Sequence, residues 1–285
     1  MRDVLALILQ KNWSSRFVMA QASSTLEPMT IIPDLRGKVV LITGASTGIG
    51  AAAAHAFGRN GAKVAINYRQ SQTEAEQVAD AVRQLGGEAL LVQKDVILPE
   101  AASEIVRKTV EAFGRLDVLI NNAGALIRRT PVADYTDEYL DALLDLNVKQ
   151  VVRLVHEGVV QMRAQGGGGS IINLSSIAAR NGGGPGSVLY AAAKGLVATA
   201  TRGWAKELTR DGIRVNAVSP GVIMTPFHDR FSTPQQLAAM QATIPMGRAG
   251  LAEECAGAFL YLASEQMSSY VTRQMVEVNG GQYMP

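Results

Sequence analysis

An α/β fold with a doubly wound, seven-stranded parallel sheet and helices on both faces, forming one domain, is predicted from three observations. Short apolar runs recur at Val39 to Ile42, Val64 to Ile66, Ala89 to Val92, Val118 to Ile120, Ile171 to Leu174, Val215 to Val218 and Met275 to Val278. They show little polar alternation, as strands covered on both faces should. The intervening stretches, among them Gln72 to Leu85, Glu100 to Phe113 and Asp137 to Met162, are long enough for crossover helices. Finally, 285 residues with 47% apolar and 18% charged side chains suit one large domain with a substantial core.

Residues 31–285 are read as that domain, and residues 1–30 as a disordered leader or an upstream start codon, with Met29 as the true beginning. Arg2 followed by the run Val4 to Leu9, with Ala20-Gln21-Ala22 beyond, imitates an export signal, but Gln10-Lys11-Asn12 ends the run too early. A cleaved signal is the minority reading. A net charge of +2 without a basic run predicts neither a nucleic-acid nor a membrane partner. The single cysteine, Cys255, fits a helix core and a reducing, cytoplasmic compartment. His55, His156 and His228 lack ligand spacing, so no catalytic metal is expected.

The first strand runs into Thr43-Gly44-Ala45-Ser46-Thr47-Gly48-Ile49-Gly50 and an alanine-rich helix. Glycines at 44, 48 and 50 allow a tight turn, backbone approach to a pyrophosphate and close helix packing, which is the Rossmann-type dinucleotide arrangement. At the second strand's end, Asn67-Tyr68-Arg69 puts an arginine where a carboxylate would hold the ribose of NAD, and no Asp or Glu stands at that strand end. NADP(H) is therefore the preferred cofactor, with NAD(H) the second option. Asp95-Val96 closes the third strand, where a carboxylate can accept from an adenine amino group, and Asn121-Asn122-Ala123-Gly124 closes the fourth beside the cofactor cleft.

The fifth strand ends in Ser175-Ser176, and a glycine-rich loop, Asn181 to Ser187, leads to Tyr190 and Lys194. Residues four apart share a helix face, so the Lys194 ammonium can favour the Tyr190 phenolate. An unperturbed tyrosine titrates near ~10, so acid/base work near neutrality requires about 4 kcal/mol of preferential phenolate stabilisation. A serine hydroxyl beside the phenol can bind a carbonyl oxygen while the phenol protonates it.

In this order, the motifs resemble the short-chain dehydrogenase/reductase family, single-domain branch, from about residue 35 onward. The resemblance extends to Asn147 in Leu146-Asn147-Val148 and to Pro220-Gly221 with Thr225 beyond. It implies that Ser176 orients the carbonyl, Tyr190 transfers the proton, and Lys194 lowers the phenol's pKa and binds the nicotinamide ribose. Asn147 would hold a water that links Lys194 to solvent. Pro220, Gly221, Ile223 and Thr225 would place the nicotinamide carboxamide. Glucose-dehydrogenase-like and 3-oxoacyl-carrier-protein-reductase-like members are the nearest in pattern, by Asn67-Tyr68-Arg69 and Ile244-Pro245-Met246-Gly247. Such relatives are homotetramers or homodimers built through long helices, here including Ala191 to Leu208, and the last strand.

The chain departs from the family pattern twice. Thirteen residues separate Ser176 from Tyr190 where twelve are common, leaving Ser175 as the alternative; the extra residue is expected in Gly182 to Gly184. Arg273 replaces a usual glycine and would be strained at a positive φ. Arg128 and Arg129 read as surface charges and His228 as an exposed loop residue, while Met224, Phe227 and residues 232–244 should form a mobile cover over the substrate, a small alcohol or carbonyl compound. Two other functions compete: a catalytically silent NAD(P)-binding redox sensor, which should have lost the catalytic positions, and a sugar-nucleotide epimerase, which needs a larger carboxy-terminal domain.

Overall fold

The computed structural model describes residues 31–284; the reading of residues 1–30 as a leader lies outside them. The chain forms β1 (Val39–Ile42), α1 (Gly48–Arg59), β2 (Lys63–Tyr68), α2 (Gln72–Gln84), β3 (Glu88–Gln93), α3 (Ala101–Phe113), β4 (Val118–Asn121) and α4 (Asp137–Leu144). It continues with α5 (Gln150–Gln165), β5 (Gly169–Leu174), α6 (Ala178–Asn181), α7 (Val188–Leu208), β6 (Ile213–Pro220), β7 (Ile223–Met224), α8 (Pro226–Phe231) and α9 (Pro234–Gln241). The last elements are β8 (Gly250–Leu251), α10 (Ala252–Ala263), α11 (Glu265–Ser268) and β9 (Met275–Val278).

Seven strands form one parallel sheet in the order β3-β2-β1-β4-β5-β6-β9. The order reverses direction between β1 and β4, the switch point where a doubly wound sheet opens a crevice at its carboxyl edge. β1, β4 and most of β6 are buried, which explains their unbroken apolar character. One face is packed by α3, α5 and α7, whose Ile105, Leu154, Val155 and Val197 join Leu41, Leu119 and Ile171 in the main core. On the other face, Phe57 of α1 and Phe259 of α10 are completely buried.

The structure corrects two expectations and adds one element. Asp137 to Met162 is not one helix: α4 and α5 are joined by a π-helical turn, Asp145–Lys149. The cause is Asn147, whose buried amide donates to Ala125 O (2.9 Å) and Leu143 O (3.0 Å) and accepts from Ala125 N (3.1 Å), tying the helix sideways to the chain after β4. Asp95 lies two residues beyond β3, which ends at Gln93. A second sheet, β7 paired with β8, lacked any periodic signal because each strand has only two residues. Arg273 takes φ 66°, the left-handed conformation expected of a position that favours glycine. Cys255 is buried in α10, and burial pushes its thiol up to about 12.

Candidate active site

The carboxyl ends of β1, β4, β5 and β6 converge on one cleft. On its β1 side, Thr43 is the joint: its hydroxyl accepts from the backbone N–H groups of Asn122 (3.0 Å) and Ala123 (3.1 Å). In return, Asn122 Nδ2 donates to the carbonyls of Thr43 (2.8 Å) and Gly44 (3.0 Å). Gly50 sits under this joint. A Cβ there would stand 2.6 Å from Asn122 Nδ2 and 2.7 Å from Gly44 O, so no other residue fits without moving backbone. The cap of α1 at Thr47 has no side-chain hydrogen bond and its first turn has no acidic residue. Helix-end N–H groups over Ser46, Thr47, Gly48 and Ile49 thus suit a dinucleotide's pyrophosphate, and this cradle is the feature that fits the cofactor. Thr225, beyond Pro220 and Gly221, reaches the same turn, its methyl 3.3 Å from where a Gly48 Cβ would lie.

Arg69 is at the adenosine end, more than half exposed. Its NH1 lies 3.5 Å from Asp95 Oδ2. A carboxylate therefore does stand beside Arg69, supplied by the chain after β3 rather than by the end of β2. Tyr68 and Val96 are buried, and the Tyr68 carbonyl already accepts from Lys94 N.

The β5 side carries the titratable groups. Ser176 stands beside Tyr190, close enough to favour its phenolate, and its hydroxyl accepts from Ala178 N at 3.1 Å. Ser175 turns away, donating to Lys194 O at 3.1 Å in the interior, which settles which serine faces the phenol. The added loop residue is absorbed after α6 by Gly182 and Gly183, at φ 82° and 75°. Tyr190 is in the first turn of α7, which starts at Val188 rather than Ala191. Lys194 Nζ donates to Leu174 O at 2.8 Å and lies 5.8 Å from the Tyr190 ring centre. Gly124 separates Lys194 from Asn147: a Cβ on it would meet Asn147 Oδ1 at 2.9 Å and Lys194 Nζ at 3.1 Å.

Among the protein's own groups burial dominates at the Tyr190 phenol; the lowering expected from the sequence also counts on the positive charge of a bound cofactor. Burial pushes the phenol up to about 12, only partly offset by the Ser176 hydrogen bond. Burial also pulls Lys194 down to about 8, so the ammonium meant to stabilise a phenolate is itself poorly solvated. The spacing brings the groups together, but it could not reveal how dry the cleft is.

Asn173, whose bonding the sequence left open, joins Asn121 (2.8 Å) to Thr201 of α7 (2.9 Å), a buried polar tie across β4, β5 and the helix. Three supporting groups carried no usable sequence signal as such: the Thr43 hydroxyl, the Leu174 carbonyl, and Gln150, which donates to Ala123 O at 3.0 Å. Phe227 of α8 covers Tyr190, with ring centres 6.0 Å apart, and His228 stands edge-on to Phe227 at 5.5 Å. His228 is half-buried, not exposed; burial and the Arg129 charge push its pKa down. A separate cavity of about 210 Å³, lined by Val222, Ile244, Met246, Arg248 and Asn279, includes Ile223 but none of Ser176, Tyr190 or Lys194.

Known proteins match this chain in sequence and in fold. The family model described as enoyl-(acyl carrier protein) reductase matches residues 44–282. A 3-oxoacyl-[acyl-carrier-protein] reductase of Synechocystis is 38% identical over 250 residues, covering 88% of this chain and 98% of the relative. An L-rhamnose 1-dehydrogenase (NAD(P)(+)) of Sphingomonas is 39% identical over 254 residues, with the same coverage of both. Among solved structures, an NADH-dependent reductase responsible for alginate metabolism superposes with a TM-score of 0.82 at 36% identity, covering 89% of this chain and 100% of that one. With the sheet order, the glycine turn and the serine–tyrosine–lysine cleft, these matches make the chain a member of the short-chain dehydrogenase/reductase family of NAD(P)-binding oxidoreductases.

Proposed function

We propose that the protein interconverts a secondary alcohol and a ketone by hydride transfer, preferring NADP(H) and accepting NAD(H). The observation that carries this reading is the convergence of Ser176, Tyr190 and Lys194 at one cleft, with the Lys194 ammonium 5.8 Å from the Tyr190 ring centre and Ser175 bonded away into the interior. A bound dinucleotide would supply the hydride and, when oxidised, a positive ring charge close to the phenol. Gly44, Ser46, Thr47, Gly48, Ile49 and Gly50 would hold its pyrophosphate, Arg69 the 2′-phosphate, and Asp95 the adenine. Asn122, Ala123 and Gly124 would line one wall; Pro220, Gly221, Ile223 and Thr225 would seat the carboxamide.

In the reducing direction, Ser176 donates to the carbonyl oxygen and Tyr190 delivers the proton, so both stabilise the developing alkoxide. Burial favours the protonated phenol, the form that the reducing direction needs. Lys194 binds the nicotinamide ribose and assists the reprotonation of Tyr190. Asn147, fixed in the π-helical turn, holds the route from Lys194 to solvent. Phe227 excludes water above the phenol.

Exposed Val152 and Val160 on α5 and Val188 and Leu196 on α7 support a homotetramer or homodimer through these helices. Among the described residues, no helix is long and apolar enough to cross a membrane, and a cytoplasmic enzyme is the reading we favour.

The relatives' names span a β-ketoacyl thioester, a sugar and an alginate-derived carbonyl, so the test is a panel: ketones, keto-sugars and β-ketoacyl thioesters with NADPH or NADH, and sugars and alcohols in reverse, followed at 340 nm. Turnover favouring NADPH is expected. Dinucleotide binding without turnover on any substrate would instead favour the silent redox sensor.

A further inference from the structure

Residues 126–130 follow the polar turn after β4 and contribute to neither dinucleotide binding nor proton transfer as described. Their backbone is unusual. Ile127 has φ 66°, and Arg128 N donates to Leu126 O at 2.8 Å, closing a turn of three residues about a β-branched side chain, a strained arrangement. Its consequence is directional. Ile127, like Leu189 and Tyr190, packs against the buried cluster of Tyr139, Leu143, Val148 and Ala193, and Arg128 lies over the Tyr139 ring at 4.7 Å while its carbonyl accepts from the Tyr139 hydroxyl at 3.0 Å. Arg129, pointed the other way, is half-buried and reaches across the mouth of the cleft.

There the Arg129 guanidinium spans two segments that do not otherwise belong together. Nε donates to Phe231 O at 2.8 Å, at the end of α8, and NH1 donates to Pro185 O at 2.9 Å, in the loop that leads into Tyr190. Both acceptors are main-chain carbonyls reached by two different nitrogens, Nε and NH1, so the link uses the rigid planar fork of an arginine, which the single nitrogen of a lysine on its flexible stem does not reproduce. What the clasp holds is the aromatic cover. Phe231 packs on Phe227 at 5.0 Å, and Phe227 packs on Tyr190 at 6.0 Å. Apart from this chain of contacts, α8 is one short helix with few bonds to its surroundings, so its position over the phenol is weakly determined without Arg129.

We propose that Arg129 is a positioning residue that clasps α8 to the 182–187 loop and thereby keeps Phe227 over Tyr190, setting the size and dryness of the carbonyl subsite. The inference rests on Tyr190 being the acid, but the clasp itself can be tested without turnover. Hydrogen exchange is measured on the full chain and on Arg129→Ala and Arg129→Lys. In Arg129→Ala, amides of 226–232 should exchange at least about tenfold faster, with β1 unchanged; Arg129→Lys should fall between. With the carbonyl substrate that the panel identifies, KM should rise more than kcat falls, while KM for the dinucleotide stays within about twofold.

Unchanged exchange at 226–232 in a folded Arg129→Ala protein overturns the clasp. So does full retention of slow exchange in Arg129→Lys, which decides the matter if the alanine variant does not fold. Accelerated exchange with Tyr190→Phe still fully active would leave the clasp standing and overturn the catalytic reading instead.

Discussion

The two sides of the cleft are held together by different materials. On the dinucleotide side, main chain packs at contact distance and only short side chains bridge it: the Thr43 hydroxyl and the Asn122 amide join β1 to β4, and Gly50 beneath them leaves no space for one added carbon. On the carbonyl side, single side chains bridge irregular loops: Arg129 joins α8 to the 182–187 loop, and stacked rings complete the wall. A backbone-built site is rigid and fixed by one or two residue types, whereas a wall joined by a few long side chains can be reshaped by substitution without disturbing the sheet. A shared fold with varied substrates is the expected outcome.

The largest test of the contrast is Tyr190→Phe. It removes the hydroxyl beside Ser176 and leaves the ring that packs against Phe227. Turnover should fall by about 10²- to 10⁴-fold, while dinucleotide binding, read by fluorescence titration, is unchanged. Full turnover would show that the proton comes from elsewhere.

Burial of Lys194 makes the second prediction. Its pKa falls from 10.5 to about 8, so between those values the unfolded chain holds a proton that the folded chain has released. Stability therefore rises with pH across that window, and the gain is lost as pH falls through about 8. The full effect is at most roughly 3 kcal/mol. Tyr190, held up to about 12, gives the opposite slope only above its ordinary 10, so the comparison belongs between pH 8 and 10. Lys194→Met should flatten the rise in Tm over that range; identical slopes in the two proteins would mean that the lysine stays solvated.

A pair of glycines then compares the two sides directly. Gly50→Ala puts a methyl against Asn122 and Gly44, whereas at Gly184 the nearest atom to an added Cβ is Arg129 NH1 at 3.8 Å. The first should cost about 1–3 kcal/mol in urea unfolding and weaken dinucleotide binding; the second should stay within about 0.5 kcal/mol. Equal costs would remove the distinction between a backbone-built and a side-chain-built wall.

That distinction also explains what the sequence revealed. The strands were legible because burial on both faces imposes unbroken apolar runs, and the glycine turn because close approach admits only glycine. Ser176, Tyr190, Lys194 and Asn147 were legible as a pattern, and the fold brings them to one cleft. The π-helical turn was not, because it depends on Asn147 finding Ala125, a partner 22 residues away. Nor was Arg129: an arginine after a polar turn looks like a surface charge until the two carbonyls it joins are known, and these lie 56 and 102 residues away. The direction of the Tyr190 and Lys194 shifts escaped for a similar reason, since desolvation is a property of everything packed around a group.

The smallest predicted effect concerns Arg69, where the two kinds of construction meet. The arginine suits a 2′-phosphate, yet Asp95 lies 3.5 Å away and competes for the same guanidinium. The pair is well exposed, and such pairs are worth up to about 1 kcal/mol, so Asp95 can move cofactor choice only about twofold to fivefold. Asp95→Asn keeps an oxygen for Ile97 N, which the carboxylate accepts from at 3.2 Å, but releases Arg69. It should weaken NADPH and NADH alike through the adenine and still raise the NADPH-to-NADH ratio of kcat/KM, while Arg69→Ala should lower that ratio. Because the adenine contribution cancels in the ratio, a fall in Asp95→Asn would mean that the carboxylate orients Arg69 toward the phosphate instead of drawing it away.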